Sequence, residues 1–221
     1  VSDEFADNDF ITESNEISTQ VSIVESTTFG SVDSIEIVND GDNYQVKMAK
    51  NIYHKQIKIL NYWLSLANLD PIYEFAKNKK IGILSIDIDG NDFWILKKLV
   101  NLKPAIIITE YNSKFGQRSI SVPYEENFER TKKHSSCSYY GASLKAICLL
   151  LKKNNYCLIE ISSLGNNAFY LRNDLLEESD LPLDPDNSYR ESFQKNSKRR
   201  HLDYWREIKD MKFVEIDEEN I

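Results

Sequence analysis

Two short apolar runs that end abruptly on polar side chains constrain the fold of this chain most. One run leads into Asp87 and Asp89, and a later one leads into Glu110 and Asn112. Continuous runs rich in β-branched residues are typical of strands buried on both faces of a parallel sheet. In open α/β sheets, ligands bind beyond the carboxyl ends of such strands. The sequence therefore predicts that these four side chains and Asp92 share one crevice.

The composition is that of a folded globular protein. The 221 residues are 41% hydrophobic and 28% charged, which suits one α/β domain with a substantial core. The formal net charge of −8 disfavours binding to nucleic acid or to a membrane surface, because both need a basic face. No apolar run approaches the roughly 18 residues of a membrane-spanning helix. The three cysteines lack metal-type spacing, so we expect free thiols in a reducing cytoplasm.

Strands alternate with helices along much of the sequence, which predicts an α/β fold built from parallel βαβ units. A helix, a strand, a tight turn and a second strand follow between residues 142 and 172, and they add an antiparallel hairpin at one edge. The order predicts a doubly wound, mostly parallel, Rossmann-like sheet. We expect residues 1–175 to form this domain and residues 176–221 to form a C-terminal extension that packs on it.

Asp87, Glu110 and His134 are the candidate catalytic residues. A carboxylate at a strand end can orient a hydroxyl group, remove its proton or hold a hard cation such as Mg²⁺. If a metal binds, Asp87 and Glu110 are its expected ligands. The alternative to a functional role for Glu110 is a structural salt bridge or a hydrogen bond to the backbone. His134 lies in a long polar loop and suits a general base, because imidazole titrates near neutral pH. An ordinary surface histidine is the alternative.

Further polar residues near these positions are candidates for substrate binding. For Asp89, and equally for Asp92, the alternative is capping of the following helix. Ser143 has the same alternative at the start of a later helix. Gly90 is expected to permit the turn between strand and helix. The substrate-binding candidates are Asp89, Asn112, Tyr140 and Ser143.

A nucleotide cofactor is commonly held through its ribose by an acidic residue at the end of the second strand. Asp40 and Asp42 fit that position, and an ordinary Asp-Gly turn is the alternative.

Several segments together resemble the FkbM-like branch of the S-adenosylmethionine-dependent methyltransferases. The resemblance runs from Ile35 to Glu215 and implies a class I methyltransferase fold. It also implies transfer of a methyl group from S-adenosyl-L-methionine to a hydroxyl group of a carbohydrate or another small metabolite. The cofactor contacts that it implies are Asp9, Asp40, Asp42 and Asp87. The segments are Leu84–Trp94, Glu110–Asn112, Val122–Tyr124, Tyr140–Leu144, Asn167–Phe169 and Tyr189–Ser192.

Two other functions stay open at this stage. That fold class usually opens with a strand and a glycine-rich turn, whereas this sequence has no glycine before Gly30. A catalytically silent, methyltransferase-like binding protein is therefore one alternative. A metal-dependent glycosyltransferase, which also clusters acidic residues beside an α/β sheet, is the other. The expected partner is a small carbohydrate acceptor, with no nucleic acid or membrane, and self-association into a homo-oligomer is left open.

Overall fold

The computed structural model of the protein describes residues 20–28, 31–39, 57–192 and 200–221. The strands are β1 (Gln20–Thr28), β2 (Ser31–Asn39), β3 (Ile57–Asn61), β4 (Ile81–Asp87), β5 (Ile106–Glu110), β6 (Ile120–Ser121), β7 (Tyr156–Ile161), β8 (Asn167–Arg172) and β9 (Val214–Glu215). The α-helices are α1 (Asp70–Ala76), α2 (Asp92–Leu99), α3 (Arg130–Lys133), α4 (Leu144–Lys153), α5 (Pro185–Ser188) and α6 (His201–Ile208). No helix within these ranges has the length and apolar character that crossing a membrane requires.

Seven strands form one mixed sheet in the order β3-β2-β1-β4-β5-β8-β7. The pairs β2–β3 and β4–β5 are parallel. The pairs β1–β2, β1–β4, β5–β8 and β7–β8 are antiparallel. The prediction of a mostly parallel, Rossmann-like class I methyltransferase sheet is therefore wrong. The protein is α/β, but antiparallel pairing prevails.

The lengths of the connections account for this difference. A parallel pair needs a crossover of about a dozen residues or more, and α2 supplies one between β4 and β5. By contrast, two residues separate β1 from β2, so this pair must be antiparallel. The antiparallel hairpin of β7 and β8, whose strands are five residues apart, was predicted and is confirmed. β1 was not expected, because its segment is rich in Ser and Thr and has no clear periodicity.

The main hydrophobic core joins β4, β5, β7 and β8 to the helices α1, α2 and α4. Leu84 and Ile86 of β4 are fully buried, as are Leu96 of α2 and Ile147 of α4. Burial of each such side chain stabilises the fold by about 1.5–3 kcal/mol. This core fixes the positions of β4 and β5, at whose carboxyl ends Asp87 and Glu110 lie.

A second, aromatic cluster joins the C-terminal residues to the segment that follows β5. Phe115, Phe128 and Tyr139 from that segment pack with Trp205 and Phe213 from the C-terminal part. Pairing of β6 with β9 adds backbone hydrogen bonds to these contacts. Residues 200–221 thereby hold the long loop beside the ends of β4 and β5.

The segment Tyr189–Ser192 crosses the turn between β7 and β8. The hydroxyl of Tyr111 donates to the carbonyl of Arg190 at 2.7 Å, and the Ser192 N–H donates to Ser113 Oγ at 3.0 Å. Gly165 lies beneath this segment with φ +69°, and a Cβ atom there would be 2.7 Å from the Glu191 carbonyl oxygen. The turn therefore requires glycine both for its backbone conformation and for space.

We expect Gly165→Ala to lower the free energy of unfolding by about 2 kcal/mol or more, because left-handed backbone alone costs an L-residue about 1–2 kcal/mol. Leu164→Ala is the matched control, because Leu164 is 59% exposed in the same turn and should change stability by less than about 0.5 kcal/mol. Urea denaturation of the two variants measures the difference. Equal stability of both variants would show that the crossing segment does not restrict this turn.

Candidate functional site

Three carboxylates meet at the ends of the two central parallel strands. Asp87 is the last residue of β4, Glu110 is the last residue of β5, and Asp89 follows in the turn before α2. One carboxylate oxygen from each residue lies within 4.8 Å of the other two. This set, Asp87, Asp89 and Glu110, is called the carboxylate cluster below. Its members meet because parallel strands end at the same edge of a sheet.

Asp92, which lies beside the cluster, stabilises the turn that carries Asp89. Its Oδ1 accepts a hydrogen bond from the Ile88 N–H at 2.9 Å, and its Oδ2 accepts one from the Gly90 N–H at 2.8 Å. The side chain is almost fully buried at the first position of α2. The expected alternative for Asp92, capping of α2, differs from what is observed, because both bonds go to N–H groups that precede the helix. Its carboxylate acts on the backbone of the turn.

The conformation of the turn differs from the expectation for Gly90. The positive φ, +52°, belongs to Asp89, a residue type that tolerates left-handed backbone better than most. Gly90 is needed for packing, because a Cβ atom there would lie 2.3 Å from Cδ1 of Phe128. The ring of Phe128 stacks on Tyr139, so the long loop packs directly on this turn. The Asn91 side chain fastens the same loop by donating to the Glu125 carbonyl at 2.8 Å.

Arg130 supplies the positive charge of the site. Its Nη1 forms an ion pair with Asp89, and its Nε donates to the carbonyl of Cys137 at 2.7 Å. The guanidinium also stacks on the ring of Tyr140, 3.6 Å from the centroid. Asp89 therefore forms an ion pair within the protein, and its role in substrate binding stays a prediction.

Tyr140 joins the cationic and anionic groups of the site. Its hydroxyl donates to Oε1 of Glu110 at 3.4 Å, and the guanidinium of Arg130 packs on the face of its ring. Lys114 also lies against this ring, with Nζ 5.0 Å from the centroid. Tyr140 was predicted to contact substrate, and the structure places it in the site.

Burial raises the proton affinity of the acidic groups. Desolvation, with repulsion from Asp92 and Asp89, raises the pKa of Asp87 to about 7. Desolvation and the neighbouring carboxylates raise the pKa of Glu110 well above its usual range. The pKa of Asp92 rises to about 6 by burial, although its backbone hydrogen bonds oppose the shift. The site therefore exchanges protons near neutral pH, which is typical of catalytic carboxylates.

Three other predicted site residues have mainly structural contacts. The Asn112 side chain donates to the carbonyls of Ser138 and Tyr140, both at 2.9 Å, and accepts from the Lys114 N–H. Ser143 caps α4 by accepting from the Ala146 N–H at 3.2 Å, so its expected alternative is the one observed. The ring of His134 bonds with Ser136 at 2.8 Å within the loop. The partners of His134 in the described ranges do not include the carboxylate cluster.

The remaining predicted cofactor contacts, Asp9, Asp40 and Asp42, lie outside the described residues. They stay predictions. Of the predicted cofactor contacts, Asp87 is the one that the structure describes, and its side chain forms no hydrogen bond with another described residue.

Sequence reasoning missed Arg130 and Lys114. Lys114 lies four residues after Glu110, in the 3₁₀ turn Ser113–Phe115, so its proximity to a predicted strand end was a usable signal. Arg130 is separated from Asp89 by 41 residues, and nothing local marks that pairing. His134 was the predicted site residue among the basic residues of the loop, because imidazole titrates near neutral pH. The loop residue that contacts the carboxylate cluster is instead Arg130, which is permanently charged.

The carboxylate cluster offers the hard oxygen ligands that Mg²⁺ prefers. Asp87 and Glu110 would hold such an ion together with the Asp89 oxygen that faces them, and Arg130 would compete with the ion for Asp89. A bound cation would supply Lewis acidity to a coordinated hydroxyl group.

Comparison of the chain with family models, with curated proteins and with solved structures finds no match. The resemblance to FkbM-like methyltransferases rests on the ordered segments of the sequence.

The raised pKa of Asp87 predicts how stability depends on pH. Between its unfolded pKa of 3.8 and its folded pKa of about 7, the folded protein binds more protons than the unfolded chain, so stability falls as pH rises across this window. We expect Asp87→Asn to reduce this fall and to raise the free energy of unfolding at pH 8 by on the order of 1–3 kcal/mol. Asp210→Asn, an exposed aspartate, is the control. Urea denaturation from pH 4 to 8 is the measurement, and an unchanged slope in Asp87→Asn would contradict the prediction.

The contact between Gly90 and Phe128 predicts a strong coupling. We expect Gly90→Ala to cost about 1–3 kcal/mol of stability in the native background, because the added methyl group displaces a buried ring. In a Phe128→Ala background the same substitution should cost little, since the obstructing ring is absent. A double-mutant cycle by denaturant unfolding measures this difference. Equal costs in the two backgrounds would place the origin of the glycine requirement elsewhere.

Proposed function

We propose that this protein is an S-adenosylmethionine-dependent O-methyltransferase that acts on a hydroxyl group of a small polyhydroxylated metabolite. The observation that carries the proposal is the carboxylate cluster at the ends of β4 and β5. It places an aspartate whose side chain has no hydrogen bond to another described residue beside two further carboxylates. Such a group is suited to accept a proton from a bound hydroxyl.

Asp87 is the proposed proton acceptor. The O–H bond of the acceptor breaks, and its proton moves to the Asp87 carboxylate. The oxygen uses its electron pair to form the bond to the methyl carbon, while the methyl–sulfur bond of the donor would break and leave S-adenosylhomocysteine. A pKa of about 7 matches this task, because the group is then substantially ionised at neutral pH and still basic enough to take the proton. Glu110, whose pKa burial raises, is suited to donate a hydrogen bond to a neighbouring oxygen of the same substrate.

The rigidity of the surroundings supports this role. Asp92 fixes the turn after β4, and Asn112 fixes the segment after β5. The backbone beside Asp87 and Glu110 is therefore held in place by hydrogen bonds. Methyl transfer to oxygen depends on alignment of the two reactants, and a preorganised acceptor site provides much of that alignment.

The methyl donor enters the proposal through the sequence resemblance. The segments that carry it include Leu84–Trp94, Glu110–Asn112 and Tyr140–Leu144, all of which contribute residues to the site. We place the reaction in the cytoplasm, in keeping with the three free cysteines. Activation of the hydroxyl group by Mg²⁺ bound to Asp87 and Glu110 is the alternative to proton transfer to Asp87, and chelation by EDTA with restoration by MgCl₂ distinguishes the two.

We expect Asp87→Asn to lower methyl transfer to sugar hydroxyls by about 100-fold or more while the protein stays folded. Turnover of the unmodified protein should rise with pH around a midpoint of about 7, since Asp87 must be ionised to accept the proton. Transfer of labelled methyl from S-adenosylmethionine to a panel of neutral and anionic sugars is the measurement, with Asp210→Asn as the control.

Near-normal turnover in Asp87→Asn would overturn the role of Asp87. Calorimetry with S-adenosylmethionine separates the proposal from its main rival: absence of binding by the full chain would favour the catalytically silent binding protein.

A further inference from the structure

Lys114 is a largely buried cation that lies between two aromatic rings. Its Nζ is 5.0 Å from the ring centroid of Tyr140 and 5.5 Å from that of Tyr204 in α6. The Lys114 backbone is fixed because its N–H donates to Asn112 Oδ1 at 3.0 Å. Within the described ranges, no carboxylate forms an ion pair with its ammonium group.

The charged and titratable groups that face Lys114 in the described ranges leave its charge without a dedicated partner. They are Arg130, Glu110, Asp89 and Cys137, together with the phenols of Tyr140 and Tyr204. Asp89 already pairs with Arg130, and Glu110 accepts a hydrogen bond from Tyr140. Burial, reinforced by repulsion from Arg130, lowers the pKa of Lys114 from 10.5 to about 8. Because a buried charge without a partner is costly, an anion at this position would be stabilising.

Arg130 has one donor directed to no described partner. Its Nε bonds the Cys137 carbonyl and its Nη1 pairs with Asp89, whereas Nη2 has no hydrogen bond to another described residue. Cζ of Arg130 lies 3.6 Å and Nζ of Lys114 lies 5.0 Å from the centroid of the Tyr140 ring, so both cations contact the same aromatic side chain. A guanidinium edge and an ammonium group are the usual ligands of phosphate and carboxylate oxygens.

We propose that Lys114 and the Nη2 of Arg130 bind an anionic group of the acceptor, so that the substrate is a polyol bearing a phosphate or a carboxylate. This inference rests on the proposed function for the hydroxyl end of the substrate, which Asp87 receives. The anionic end selects the substrate and orients its hydroxyl group toward the carboxylate cluster.

Proton linkage gives the proposal a distinct signature. An anion favours the charged form of Lys114, so ligand binding takes up a proton near pH 8. Affinity for the anionic ligand therefore falls as pH rises above about 8. Arginine at this position would stay charged throughout and would remove the part of that pH dependence that comes from Lys114. The part that comes from ionisation of Asp87 and Glu110, which repel an anion, would remain.

Calorimetry of the full chain with glucose 6-phosphate, glucuronate and glucose tests the proposal at pH 7 and pH 9. The expected result is that at least one anionic sugar binds ten or more times more tightly than glucose at pH 7, and that this advantage shrinks at pH 9. The two anions distinguish a phosphate from a carboxylate as the recognised group. Lys114→Met should abolish the advantage, and Lys114→Arg should lose a smaller share of it between pH 7 and pH 9 than the unmodified protein does.

Lys145→Met is the matched control, because Lys145 pairs with Asp186 on the surface and should leave the advantage unchanged. Equal binding of all three sugars, or an advantage that persists in Lys114→Met, overturns the proposal. Binding is measured without the methyl donor. Anion binding that depends on Lys114 in a protein that transfers no methyl group would thus refute the proposed function and not this subsite.

Discussion

The parallel pairing of β4 with β5 is the constraint on which the rest of this structure depends. It brings the last residue of each strand to one edge of the sheet and forces Asp87 and Glu110 into proximity with Asp89. Carboxylates that are both buried and close together destabilise a fold unless they are protonated or compensated. The neighbouring residues can be understood as that compensation: Arg130 pairs with Asp89, and Tyr140 donates to Glu110.

Among the described residues, the compensation is incomplete at Asp87, and that incompleteness is the best argument for the proposed function. An amide in place of one carboxylate would remove the repulsion, because an uncharged side chain has no charge to bury. This chain has carboxylates at all three positions, and Asp92 and Asn112 fix the backbone beside them. Catalytic sites commonly keep charged groups that lower the stability of the fold, because activity requires those groups.

Local patterns in the sequence predicted the elements better than their arrangement. The apolar runs before Asp87 and Glu110 correctly predicted two adjacent parallel strands, because periodicity and strand ends are properties of a few neighbouring residues. The orientation of β1 and β2 depends instead on connection length and on long-range pairing, which periodicity does not encode. The same limit applies to the site, since Arg130 reaches Asp89 across 41 residues, and Gly90 is explained by a ring 38 positions away.

The C-terminal residues contact the candidate site directly, although the sequence predicted them to be an extension of the domain. Tyr204 of α6 lies against Lys114, and Trp205 and Phe213 pack on Phe115 in the turn that carries Lys114. A shift of α6 would therefore change the surroundings of the ammonium group, on which the cost of burying Lys114 depends. It would also act on the turn of Asp89, because the aromatic contacts continue from Trp205 and Phe213 through Tyr139 to Phe128, which packs on Gly90. The C-terminal packing therefore supports both the proposed anion subsite and the turn that carries part of the carboxylate cluster.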